Sequence, residues 1–258
     1  MPTKTPSTAV AVKKTSGTLA ATDVRAMLEA MVAQNAKKTA PAGGNAIRVT
    51  QDKHMILPDG SKTTEMQVVV VEFTSRNEFY EGAFDKNNIR PPACFAIGDV
   101  PTELVPSPNS PTKQAESCSV CPMNVFGSAG AGKACKNTRM LAVLPPDADE
   151  STPIWTIKVS PTAIKGFDGY VKNVQRMFGV PPVGVVTTVT FDENADYAQL
   201  KFSDPTPNEN AGIHLGRLTE AREILATEPD VSAFDAPAAT SARKGAAPAG
   251  RRPAVARR

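Results

Sequence analysis

Four cysteines, Cys94, Cys118, Cys121 and Cys135, carry the clearest chemistry in this chain, in the pattern C-x23-C-x2-C-x13-C. Two thiolates separated by two residues grip one tetrahedral ion, and zinc prefers four nitrogen or sulfur ligands at about 2.0–2.3 Å. Gly127, Gly130 and Gly132 allow the chain between Cys121 and Cys135 to double back. A closed shell of four cysteines leaves no open coordination position, so the expected role of the zinc is structural, replacing a hydrophobic core that this segment lacks. A redox pair of the thioredoxin kind needs its C-x-x-C between a strand and a helix, whereas Ser117, Ser119 and Pro122 surround this one. Residues 127–133 also satisfy G-x-x-x-x-G-K, but Ala134 stands where a Ser or Thr hydroxyl would hold magnesium, so a phosphate-binding loop is not expected.

Catalytic constellations are scarce. The only histidines are His54 and His214, neither in a recognisable motif, and no carboxylate pair, nucleophile–base pair or open metal site emerges, so the chain is not read as an enzyme.

The remaining candidates are cations and aromatics suited to a nucleic-acid strand. Lys133, Lys136 and Arg139 cluster around the last cysteine, and Lys172 and Arg176 lie with Lys165 off the apolar stripe of a predicted helix. Lys158 lies opposite the core-facing Trp155, Ile157 and Val159 of a predicted strand. In a strand at 197–202, Tyr197, Gln199 and Lys201 share the face opposite Ala198, Leu200 and Phe202, which joins an aromatic platform to a cation; the bland alternative is an ordinary solvated face. Phe79, Tyr80 and Arg90 lead into the cysteine segment, where they either stack bases or pack that segment onto the rest of the fold.

The elements that must position these residues follow from periodicity. A helix is expected at 24–32, with Thr22 as its cap and Val24, Met27, Leu28, Met31 and Val32 on one stripe, ended by the 41–44 Pro-Ala-Gly-Gly linker. Strands are expected at 46–50, 54–57 and 66–73, then 139–144 and 154–159, with a Pro58-Asp59-Gly60 turn among the first. Between them, 90–136 has no strong period and requires something else to order it. Ser160-Pro161 reads as a helix start, and Ile164, Phe167, Val171, Val174 and Phe178 continue at helical spacing until Gly179 and Pro181-Pro182. Strands at 185–191 and 197–202 form a predicted hairpin, and a last helix is expected at 218–227.

Charge is divided along the 258 residues. The overall +3 comprises +3 from residues 1–20 and +6 from 236–258, leaving −6 for 21–235. The longest aliphatic run, Val68 to Val71, is far short of the roughly 20 apolar residues of a spanning helix, so no membrane partner is expected. The first twenty residues carry no apolar h-region, so the expected location is cytoplasmic.

With the cysteine module set aside, the chain reads as two strands or a hairpin, a third strand region, a helix from Pro161 and two more strands. Three strands, helix, two strands is the order of an OB-fold barrel, a fold used repeatedly for single-stranded nucleic acid. In that order, with the cysteine module as an insertion, the chain resembles the single-strand DNA-binding, helix-destabilising proteins of tailed bacteriophages. The resemblance covers roughly residues 46–203 in topology, and at residue level only the metal-ligand cluster. That family has a histidine among its zinc ligands and an acidic C-terminal tail that recruits replication partners; here there are four cysteines and a basic tail.

The expected fold is therefore α+β, mostly β. It consists of a disordered tail at 1–20, a helix and linker at 21–44, and an OB-like domain at 45–204 with a zinc module at 90–138. A helical segment at 205–235 and a disordered basic tail at 236–258 complete it. The expected function is sequence-nonspecific binding of single-stranded DNA in replication or recombination, in a bacterial host cytoplasm if the chain is phage-encoded. Replication or recombination proteins are the expected partners, and the two terminal helices either form a surface for self-association or partner binding or cap the barrel. Arg251, Arg252, Arg257 and Arg258 would add phosphate affinity without specificity, or act only as a solubilising extension. The alternative function is a zinc-module interaction or transcription factor docking on a polymerase.

Overall fold

The computed structural model describes residues 24, 25, 27, 28, 31, 44–82 and 89–234, and the chain divides into two units, Met1–Asn45 and Ala46–Arg258. In the first unit Val24, Arg25, Met27, Leu28 and Met31 are helical, as their spacing predicts, and the four apolar side chains among them are exposed. The tails expected at 1–20 and 236–258, with the four arginines of the second, lie outside the described residues.

The second unit is built on one curled sheet of nine strands among the described residues. These are β1 (Ala46–Val49), β2 (Met55–Ile56), β3 (Lys62–Thr63), β4 (Met66–Phe79), β5 (Cys94–Gly98), β6 (Cys135–Leu144), β7 (Trp155–Val159), β8 (Val185–Phe191) and β9 (Leu200–Pro207). Eight run in the order β3-β2-β1-β7-β6-β4-β8-β9, and β5 pairs with β4. All pairings are antiparallel except β1 with β7. The architecture is a mostly β half-barrel with few, short helices.

The spine is β4, whose β-branched run Val68 to Val71 favours an extended backbone. Its first three residues pair with β8, Val69 to Phe79 with β6, and Ser75 to Phe79 also with β5. A bulge between Val70 and Glu72 interrupts the β6 register. The extra residue sharpens the local twist and brings Phe73 to the core beside Val68 and Val70, although Phe73 is an odd number of residues from Val70. The sheet thus curls around an inner core, where the 15-residue helix α1 (Ile164–Phe178) lays Phe167 against Phe73 and Phe202 at ring-centroid distances of 5.1 and 4.9 Å. Tyr170 adds a buried hydroxyl pair with Thr187 at 2.7 Å. Gly179 ends α1 at φ 68°, and its amide donates to the Gln175 carbonyl.

The outer face of the same strands is covered by α3 (Leu218–Ala226), which follows the short α2 (Ala211–Gly216). Ala221 and Leu225 of α3 meet Val71, Ala142 and Leu144. The buried Arg76 guanidinium donates to the Leu225 and Thr227 carbonyls at 2.7 and 2.9 Å, placing positive charge at the negative end of that helix.

Several boundaries differ from expectation, among them the end of β4, which runs past residue 73 to Phe79, and the start of β6, at Cys135 instead of Arg139. Helix α1 starts at Ile164 with Ala163 as an unassisted N-cap, because the Ser160 hydroxyl pairs with that of Thr162 at 3.0 Å instead of capping an amide. The strand expected at 197–202 is shifted to Leu200–Pro207. The Asp192 amide closes the hairpin on the Gln199 carbonyl and the Gln199 amide turns back to Tyr197, so Tyr197 lies in the loop; the prolines of β9 are tolerated because it ends the sheet path. Within 90–136, β5 was unforeseen. The Ser110 hydroxyl bridges the Phe95 amide and carbonyl at 3.0 and 3.1 Å, lacing the following loop to that strand.

Candidate metal centre and nucleic-acid interface

The far end of β4 gathers the four cysteines. Phe79 is the register partner of both Cys94 on β5 and Cys135 on β6, so these two thiols flank one aromatic residue. Cys118 is drawn in by the hydrogen bond that its backbone amide donates to the Leu104 carbonyl. Cys121 precedes a 3-10 turn at Pro122–Asn124, and Asn124 returns its side-chain amide to the Cys118 carbonyl at 2.8 Å. All four are free and buried, and they line one cavity of about 10 Å³ together with Asn77, Phe79 and Phe95. That is room for a single small occupant.

Burial pushes the Cys118 thiol up, against a hydrogen bond from Asn77, with Cys94 and Cys121 adding to the rise. Cys135 is pushed up to about 12, by burial first and then by Cys118, Cys121 and Cys94. Four soft donors in mutual electrostatic contact suit a dication, which would reverse that penalty by holding thiolates. As they stand, no three His, Cys, Asp or Glu side chains among the described residues form a group able to hold a metal ion. Phe79 packs on the thiol cavity, which favours its packing role.

Beside this cavity lies a groove of about 870 Å³, between the loop after the 3-10 turn, the start of β6 and the first half of α1. Lys133, Lys136, Lys165 and Lys172 line it against a single carboxylate, Asp168, which is ion-paired to Arg139 at 3.0 Å. A protein whose 21–235 stretch carries net −6 thus collects positive charge in one place. Lys133 donates to the Asn124 side chain at 3.2 Å, tying the groove to the thiol cavity, and Lys136 donates to the Lys133 carbonyl at 3.1 Å. The first turn of α1 lines the groove without a side-chain cap, so its amides and the positive end of the helix dipole add to the field. Lys165 in that turn opposes the dipole, an arrangement that costs a few tenths of a kcal/mol unless an anion is bound. Phe126, 75% exposed, stands on the same wall.

A second groove of about 620 Å³ holds Lys158 and Tyr197. Lys158 is ion-paired with Glu78, which also accepts from the Tyr80 hydroxyl at 3.2 Å, so its charge is already met. Burial first, and then the same Glu78 contact, raise the Tyr80 phenol.

The structure thus brings together Lys133, Lys136 and Lys172 of the expected contacts. It assigns Arg139 to an ion pair and places Arg176, which donates to Asn173 at 2.8 Å, outside the groove lining. Lys201 is exposed on β9 and lines neither groove. It does not share a strand face with Tyr197, because β9 begins at Leu200. Arg90 is exposed just beyond the 83–88 segment, which lies outside the described residues. Residues 127–133 form a tight turn with an isolated bridge between Ala129 and Gly132 and lead into β6, not into a helix as a phosphate-binding loop would.

Phe126 was missed in sequence, where its signal is a lone aromatic between a C-x-x-C turn and a glycine-rich loop. Lys165 was noted only as polar helix surface. Neither histidine reaches the lysine groove; His214 is buried, with its ring nitrogens at 2.9 Å from the Asn210 carbonyl and 3.1 Å from that of Pro145. Compared with known proteins, the chain matches no family model, no curated protein and no solved structure.

Proposed function

We propose that this chain binds single-stranded DNA without sequence preference, through the groove between the cysteine module and α1. The observation that carries the reading is the union of four lysines and one open aromatic ring on the walls of a single groove. Lysines supply phosphate contacts independent of sequence, and every base offers a face on which Phe126 can stack. Duplex DNA hides those faces, so the groove favours an unpaired strand.

The sheet supports the finer fold reading. The path β7-β6-β4-β8-β9, with α1 between β7 and β8 in sequence, is the order 3-2-1-4-5 expected of an OB barrel, and the cysteine module enters between its first two strands. We read the four cysteines as holding one structural zinc. The chemistry of the donors supports it: all four cysteines line one cavity of about 10 Å³, and their side chains, which form no metal-holding group as they stand, would close on the ion as each thiol gives up its proton. Bound there, zinc would supply cross-linking and no catalysis. Cys121 and Cys135, so joined, would fix the intervening loop that carries Phe126 and Lys133. Replication or recombination in a phage-infected bacterium is the setting that the resemblance suggests.

Binding of the full chain to a fluorescent mixed-sequence single strand, challenged with unlabelled duplex, tests the reading. Single-strand binding should resist a tenfold duplex excess, and Phe126→Ala should weaken it roughly 5- to 150-fold, the worth of one base–aromatic stack. Equal competition by duplex, or an unchanged Phe126→Ala, would overturn it. The exposed Val120, Val125 and Phe126 favour one second reading, in which the cysteine module docks on a protein; the absence of single-strand binding would leave that reading standing.

A further inference from the structure

The second groove has a different chemistry from the first. Its wall carries Tyr197, 50% exposed, with Gln51, Lys158, Ser160 and Asp196 around it. Lys158 is neutralised by Glu78, and Asp196 adds a carboxylate, so this groove has no positive charge to spare for phosphate. Apart from the Asp196 carboxylate it offers an aromatic face ringed by uncharged or compensated donors and acceptors, a lining that suits a planar heterocycle and not a phosphate. The Tyr197 hydroxyl donates to the Gln199 side chain at 3.0 Å, which tethers the ring and reduces the ordering cost of a partner stacking on it.

Position links the two grooves. Ser160 lines the second, while Pro161 and Thr162 line the first. Successive Cα atoms are about 3.8 Å apart, so the step from Ser160 to Thr162 is at most about 7 Å. The ridge between them is the Ser160–Thr162 step, its hydroxyls 3.0 Å apart, the stretch of chain at which the two linings adjoin. An extended strand lying in the lysine groove and leaving it over this ridge arrives at Tyr197.

We propose that the Tyr197 groove is a base-binding subsite for the same strand whose phosphates occupy the lysine groove. This inference rests on the single-strand reading above and adds to it a division of labour. The first groove supplies the salt-dependent part of the affinity and the second a salt-independent stacking contact, reached only by strands long enough to cross the ridge.

The test is a length series of oligothymidylates, from three to fifteen nucleotides, bound to the full chain and to Tyr197→Ala and Tyr197→Phe, each at two salt concentrations. Tyr197→Ala should leave the shortest binding oligomers unaffected and weaken the longest roughly 5- to 150-fold, with an unchanged salt slope. Tyr197→Phe, which keeps the ring and loses only its tether to Gln199, should weaken the longest oligomers far less than Tyr197→Ala. Equal loss at every length, no loss at the longest, or a reduced salt slope would overturn the subsite. If the parent chain binds no oligomer at any length, the single-strand reading falls and the subsite with it. If Phe126→Ala weakens binding while Tyr197→Ala does not, only the subsite falls.

Discussion

Removing Lys165 and Lys172 together tests the electrostatic argument most sharply. Both are exposed on α1 and line the groove, and neither forms an ion pair among the described residues. Glutamine at both positions keeps helix propensity nearly unchanged, and the loss of Lys165 relieves a cation at the positive end of the helix. The double variant should therefore fold at least as well as the parent. If each of the four groove lysines neutralises one phosphate of a single strand, the slope of log affinity against log salt is about −2.8, at about −0.7 per contact. Two lysines give about −1.4 by the same rule. Between 50 and 200 mM salt the parent then loses roughly 50-fold in affinity and the variant only about 7-fold. Fluorescence anisotropy over that range reads both slopes, with Arg176→Gln as the control from the same helix outside the groove. A double variant whose slope equals that of the parent would refute the placement of phosphates in this groove and move the charge contacts to the C-terminal arginines.

Other consequences bear on the module and the scaffold. The purified chain should carry one zinc ion, measured by elemental analysis, and strong chelation should lower its melting temperature and expose four reactive thiols; a metal-free chain with the same melting temperature would contradict the zinc centre. Because Cys118 and Cys135 are pushed up as thiols, protons compete with the metal, so zinc affinity should fall steeply as pH decreases. Gly166 lies in α1, and a Cβ there would meet nothing within 4 Å, so Gly166→Ala should stabilise the fold by about 1 kcal/mol, visible as a melting temperature higher by roughly 2–4 °C. At Gly179, where φ is 68°, the alanine variant should instead lose about 1–2 kcal/mol by the same thermal assay.

Much of the scaffold was legible because its signals are local. The β8 strand and the α1 stripe follow from alternation and helical spacing, and Gly179 ends α1 where its conformational freedom is needed. What escaped depends on pairing across the chain. Strand β5 is short and proline-flanked, and it exists because β4 runs on beyond Phe73 and offers Ser75 to Phe79 an edge partner. Tyr197 was misplaced because the alternation over 197–202 reads as strand throughout, whereas the Gln199 amide turns back to the Tyr197 carbonyl and pairing begins only at Leu200.

The candidate site divides along the same line. The cysteine pattern was readable because the ligand spacing is itself the signal, and Lys133 and Lys136 because they flank it. That Arg139 is consumed by Asp168 and Lys158 by Glu78 follows only from the packing of α1 on β6 and of β7 on its neighbours. Phe126 becomes conspicuous only when the groove beside it is seen.

The most direct measurement is where the strand lies. Photo-cross-linking the full chain to a bromouracil-substituted single strand, followed by mass spectrometry of the joined peptides, reports this without mutation. The account predicts cross-links at Phe126 and within 133–136 and 161–172, around the lysine groove. Cross-links confined to residues 236–258, with none around that groove, would contradict it.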